Sequence, residues 1–266
     1  MHMRTKKWAK PELEVCPYFT NEAYKLRGHW REQFKKDQPL HLELGCGKGV
    51  STAAMVYDQR DVNFVAIDIT CNALGDTRRN IAKTFGDKPV ENIIIARHNI
   101  EDIRYVFAPE DRIERIYINF CNPWTKRPKY AKRRLTHPRQ LMQYRDFLVD
   151  GGEIWFKTDD MPLFSESLPY FEACGFEIRY LVYDLHADGF QPNYISEHEK
   201  KFTDLGVPIK FVICRKKPGD VDLDPLRWVM PGAFAALRED GEQDEADMPM
   251  EEDASGLTCE DGQEEA

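Results

Sequence analysis

From residue 40 onward the chain alternates short apolar runs with longer amphipathic stretches. The runs LHLEL (40–44), VNFVAID (62–68), NIIIA (92–96), RIYINF (115–120) and GEIWFKT (152–158) are rich in β-branched and aromatic residues and predict strands. Between them the polar–apolar spacing predicts helices near 49–58, 71–85, 101–107, 137–149 and 161–174. Strands that alternate with helices imply right-handed crossovers and a mostly parallel central sheet with helices on both faces. Two later runs, FEIRYLVYDL (176–185) and PIKFVICRK (208–216), have no strong helical stretch between them and predict an antiparallel edge hairpin. Residues 1–39 read as a polar N-terminal extension with one helix near 21–35, ahead of a body at 40–217, a short segment at 218–238 and a tail at 239–266.

Composition changes this picture at the tail. The formal charge of the 266 residues is −9, yet residues 239–266 hold 13 acids and no bases. Setting those 13 aside leaves 33 acids against 37 bases, so the remainder is mildly basic, at about +4. The tail's charge and low apolar content predict disorder, and the basic body favours polyanionic partners. No apolar run approaches the ~20 residues of a membrane span, and the N-terminus has no secretory core. The expectation is a cytoplasmic protein. The seven cysteines form no C-x-x-C and no histidine pair has zinc spacing, so no metal is expected.

Candidate chemistry sits just after the strands, where open α/β sheets bind ligands. LELGCGKGV (42–50) places Gly45, Gly47 and Gly49 between the first strand and the first helix. Val50 stands where a dinucleotide fingerprint needs glycine, and no G-K-S/T phosphate loop is present. Glu43 would repel a pyrophosphate but suits a cationic ligand, such as S-adenosylmethionine with its ammonium and sulfonium. Asp68, at the end of the second strand, can accept ribose hydroxyls, and Asn99, after the third, can read an adenine edge. Together they point to a Rossmann-like class I methyltransferase.

After the fourth strand comes NFCNPWTKRPKYAKRRLTHP (119–138). Asn122-Pro123-Trp124 falls where methyl transfer would occur, and seven Lys or Arg follow between Lys126 and Arg139 with no acid. Without the second proline, the N-P-P-aromatic signature of amino-group methyltransferases is incomplete. The segment instead resembles the F-x-D-P-W-P-K…K-R-R-L block of the tRNA (guanine-N7-)-methyltransferases. MRTKKWA (3–9), LELGCGKG (42–49), WFKTDDMPLF (155–164) and SEHEKKFTDLGVPI (196–209) are similar to further blocks of that family, in the same order.

The resemblance implies cofactor contacts at Glu43, Gly45, Gly47, Gly49, Asp68, Asn99 and Asn122. It implies substrate contacts at Lys126, Asp159, Ser196, Glu197, His198 and Glu199, and a tRNA-binding segment containing Lys129, Lys132, Arg133 and Arg134. Asn122 and Asp159 are the candidate catalytic residues, and the expected target is a guanine of the tRNA variable loop. The chain departs from the family pattern with Asn122 for Asp, Thr125 for Pro, Ser196 for Thr and His198 for Tyr or Phe. Competing readings are an amino-group methyltransferase and, motivated by Asn122, an RNA-binding homologue with weakened catalysis. No feature identifies a protein partner.

Overall fold

A computed structural model describes residues 5–125 and 128–222, with the backbone alone for Pro128 and Lys129. Lys126, the tail at 239–266 and most of the 218–238 segment lie outside the described residues. The helices are α1 (Ala9–Glu14), α2 (Val50–Asp58), α3 (Cys71–Phe85), α4 (Pro138–Phe147), α5 (Met161–Ala173), α6 (Leu185–Asp188) and α7 (Glu197–Asp204). The strands are β1 (Phe19–Thr20), β2 (Leu40–Leu44), β3 (Asn63–Asp68), β4 (Ile93–Arg97), β5 (Ile113–Asn119), β6 (Leu148–Thr158), β7 (Phe176–Val182) and β8 (Lys210–Lys216).

All eight strands form one sheet in the order β1-β4-β3-β2-β5-β6-β8-β7. Strands β1 to β6 pair in parallel, and β8 lies antiparallel between β6 and β7. Burial on both faces explains the near-continuous apolar runs: alternate residues of β3 serve two cores. Val65 and Ile67 pack with Phe107, Tyr144, Phe156 and Phe171 on one face. Phe64 and Ala66 pack with Met55, Leu74, Ile81 and Phe85 on the other. The chain runs outward from β2 to β3 and β4, then returns to β5 on the far side of β2. That reversal opens a crevice at the carboxyl ends of β2 and β5.

Two expectations are corrected. The N-terminal extension has no helix over 21–35. It forms short 3₁₀ turns at Ala23–Leu26 and Arg31–Gln33, while β1 joins the sheet edge beside β4. The reason is tertiary: the N–H groups of Gly28 and Trp30 both donate to the Asp111 carboxylate, and the buried Trp30 indole donates to the Val106 carbonyl. Helix-forming bonds are given up for those partners. The helix expected at 101–107 is likewise a 3₁₀ stretch, Ile100–Tyr105, interrupted at Asp102. The expected antiparallel edge of β7 and β8 is present, with α6 and α7 lying in the connection between the two strands.

Candidate active site

The crevice is a cavity of about 720 Å³ lined by Gly45, Gly47, Asp68, Asn99, Asn122 and Trp124, with Glu101, Phe120 and Arg133 among its other walls. Loops that leave β2, β3, β4 and β5 therefore deliver most of the candidate cofactor residues to one place.

The glycine loop does two jobs. Gly45 and Gly47 have φ of 78° and 57°, and a Cβ built on either meets nothing within 4 Å, so a ligand can lie against bare backbone. Gly49, also left-handed, faces inward, where a Cβ would come 2.4 Å from Thr77 Cγ2. It lets the loop close onto α3 and does not line the cavity. Asp68 anchors the loop by accepting from the Gly47 N–H at 3.1 Å and from the Thr70 N–H at 3.0 Å. Burial raises its carboxyl pKa, and those N–H bonds pull against the rise. Asn99 accepts from the Glu101 N–H at 3.2 Å, which starts the following turn. Glu43 is placed differently from the rest. It is 2% exposed, does not line the cavity, and accepts from Thr52 Oγ1 at 2.5 Å and Asn119 Nδ2 at 3.1 Å. Burial pushes its pKa up despite both donors. The bare-backbone cradle, the acid at β3 and the amide at β4 fit S-adenosylmethionine.

The Asn122-Pro123-Trp124 turn is held by its own side chain: Asn122 Oδ1 accepts from the Trp124 N–H at 3.0 Å. Phe120 and Trp124 both adopt positive φ, 55° and 49°, a conformation that costs non-glycine residues ~1–2 kcal/mol each and clusters at functional sites. Trp124 packs under the Arg133 guanidinium at 4.6 Å, and Arg133 Nε donates to Glu101 at 2.9 Å. Lys132 is exposed to solvent. Arg134 is not. It is 7% exposed, donates to the Pro123 carbonyl at 2.7 Å and pairs with Glu166 of α5. The expected cationic surface is thus split, with Arg134 turned into the protein.

The 196–209 block brings α7 against the same loops. Ser196 caps the helix by accepting from the Glu199 N–H, the S-x-x-E signature that marks a helix start. Glu197 pairs with Lys48 of the glycine loop at 2.6 Å. His198 stacks on Phe202 at 4.5 Å and lies tilted against Phe120 at 4.9 Å, and its Nε2 meets Asp159 Oδ1 at 3.0 Å. Burial opposes ionisation of Asp159, but the His198 hydrogen bond and nearby positive charge outweigh it and hold the carboxyl below its usual value. Glu199 is fully buried, ion-paired to Lys157 Nζ at 2.7 Å and hydrogen-bonded by Asn193 Nδ2 at 2.9 Å. Lys157, Glu101 and Thr52 were missed by sequence reasoning. A lysine inside the apolar strand run GEIWFKT was the available signal for the first.

A doubly wound sheet with a glycine cradle after β2, an acid at β3 and an amide at β4 defines a class I S-adenosylmethionine-dependent methyltransferase. A methyltransferase family model matches residues 37–212. The tRNA (guanine-N(7)-)-methyltransferase of Clostridium botulinum (strain Eklund 17B / Type B) is 50% identical over 219 residues, 82% of this chain and 100% of the relative. That of Clostridium perfringens (strain SM101 / Type A) is 49% identical over 81% of this chain and 100% of its own length. The chain belongs to the tRNA (guanine-N7-)-methyltransferase family. Among solved structures, an antibiotic-related methyltransferase shares the fold, with a TM-score of 0.50 at 18% identity over 69% of this chain and 88% of that one. No helix among the described residues is long and apolar enough to cross a membrane.

Proposed function

We propose that this protein methylates N7 of a guanine in tRNA, in the variable loop by family resemblance, and that it works in the cytoplasm. The observation that carries this reading is the single cavity that joins the Gly45–Gly47 cradle and Asp68 to the Asn122-Pro123-Trp124 turn, with the Arg133 cation over the indole. Guanine N7 has a free lone pair at neutral pH, so no general base is needed to start. When bound, S-adenosylmethionine supplies an electrophilic methyl group on a sulfonium. The protein's work is then placement and charge stabilisation.

Asp68 and Asn99 are assigned to the cofactor's ribose and adenine. Asn122 is assigned to the transfer point, where the second lone pair of Oδ1, whose first is taken by the Trp124 N–H, can face the developing positive charge on the purine. Asp159, held ionised by His198, offers a carboxylate to the base or to that charge. Glu199 is assigned to Lys157 and not to the base, because both of its oxygens are engaged within the protein. Lys132 and Arg133 are assigned to phosphates, contacts that position RNA without reading its sequence. Residues 40–217 would form the catalytic body.

Incubating the purified protein with unmodified bulk tRNA and S-adenosylmethionine, followed by nucleoside mass spectrometry, tests the reading. 7-Methylguanosine is expected. Methyl on an exocyclic amine would favour the amino-group alternative, and RNA binding without any methylated nucleoside would favour a weakened homologue.

A further inference from the structure

Among the cations after β5, Arg134 differs from its neighbours in burial and partners. Its guanidinium has two fixed acceptors, the Pro123 carbonyl at 2.7 Å and the Glu166 carboxylate. Pro123 lies between Asn122, which lines the cavity, and Trp124, whose φ of 49° is unfavourable for a tryptophan. Such a conformation persists only where its surroundings over-determine it. Two ties do so here: the Asn122 side chain bonds the Trp124 N–H from within the turn, and Arg134 holds the Pro123 carbonyl from outside. The second tie runs on to α5, which packs against the sheet through Leu163, Phe164 and Phe171. The planar fork of arginine can serve both acceptors at once, which a lysine ammonium cannot match in geometry.

We propose that Arg134 is a positioning residue for methyl transfer: with Glu166 it clamps the Asn122-Pro123-Trp124 turn to α5, and it does not contact tRNA. The proposal rests on the methyl-transfer reading above. A guanidinium that is 7% exposed, with Nε and Nη1 both engaged inside the protein, has little left to offer a phosphate. A turn released from the clamp would let the Asn122 amide drift. Misplacement by about 1 Å is enough to lower a rate ~100-fold.

The test uses full-length Arg134→Met, Arg134→Lys and Glu166→Gln, with Lys132→Gln as the phosphate-contact comparison. Single-turnover methylation at saturating tRNA is measured for each, together with the salt dependence of tRNA binding. Arg134→Met should lower the transfer rate by about 10- to 100-fold, with the salt slope and tRNA affinity of the parent. Arg134→Lys should recover part of the rate. Glu166 is half exposed on a helix surface, so Glu166→Gln should fold even if Arg134→Met does not, and it should show a smaller loss of the same kind. Lys132→Gln should instead flatten the salt slope of tRNA binding by about one ion. A flattened slope in Arg134→Lys or Glu166→Gln, or an unchanged transfer rate in both, overturns the proposal. A parent protein that makes no 7-methylguanosine would instead overturn the functional reading, a result these variants do not depend on to be told apart.

Discussion

At the scale of single residues, Asn122 is the position where this chain leaves its family's pattern at the end of the cavity proposed above for methyl transfer. The side chain does two things. Its oxygen accepts from the Trp124 N–H at 3.0 Å, and its exposed amide faces the cavity. An aspartate would keep the first role, with a charged acceptor that strengthens the bond, and would add a full negative charge near the forming cationic purine. Asn122→Asp is therefore expected to hold or raise the transfer rate. Asn122→Ala removes both roles and should lower the rate by somewhat less than the ~2.7–4 kcal/mol typical of a lost, well-placed electrostatic partner. Single-turnover N7 methylation with the three proteins decides this. If Asn122→Asp abolishes transfer while folding and cofactor binding survive, the amide itself is the working group and the assignment is wrong.

At the scale of elements, the glycine loop separates two kinds of glycine. Gly47→Ala puts a methyl group into the open cradle, so it should cost ~1–2 kcal/mol in stability for the left-handed backbone and weaken S-adenosylmethionine binding beyond that. Gly49→Ala drives a methyl into Thr77 of α3 at a left-handed residue, so its main effect should be stability, with a loss of ~2–4 kcal/mol from overpacking and strain combined. Urea denaturation and calorimetric titration of each variant measure both quantities. Equal cofactor loss with equal destabilisation would remove the distinction. The Lys157–Glu199 pair joins β6 to α7, and Lys157→Met would leave a 0% exposed carboxylate with His186 and Asn193 at one oxygen and no cation at the other, at up to ~3–5 kcal/mol. Adding Glu199→Gln should recover part of that loss, and no recovery would mean that the pair is not the cause. These elements also show what could be read in advance. Strands β2 to β6 were legible because burial on both faces leaves continuous apolar runs, and their ends located Gly45, Gly47, Asp68, Asn99 and Asn122. The 21–35 stretch misled because its backbone donors go to Asp111, about eighty residues away, which no local period records. The inward turn of Arg134 was equally illegible, since seven adjacent cations look alike until Pro123 and Glu166 are placed beside one of them.

At the scale of the whole molecule, the sheet that builds the site also buries histidines that link stability to pH. His41, on β2, is 6% exposed against Phe64 and Tyr117, and burial pushes its pKa down to about 3, with the Arg115 charge adding to the effect. His137, capping α4, is 3% exposed and pushed down to about 4 by burial, with the charges of Arg134, Arg139 and Lys132 acting in the same sense. Both are neutral in the folded protein, whereas in the unfolded chain they take up protons below about pH 6.5. The unfolded state then binds more protons, so their contribution is complete above pH 6.5 and is lost as the pH falls through about 6.5 toward 4. At ~1.4 kcal/mol per unit for each group, the two together should lower stability by about 2–3 kcal/mol between pH 7 and pH 5.5. Glu43 and Asp68, whose pKa values burial raises, act in the opposite sense, so the comparison must be between variants and not on the parent alone. His41→Phe removes one titrating ring, and His137→Asn removes the other while keeping a helix-capping oxygen. Urea midpoints at pH 7 and pH 5.5 should draw closer together in each variant, and most in the double variant. If the double variant loses as much stability on acidification as the parent does, buried neutral histidines are not what makes this fold acid-sensitive.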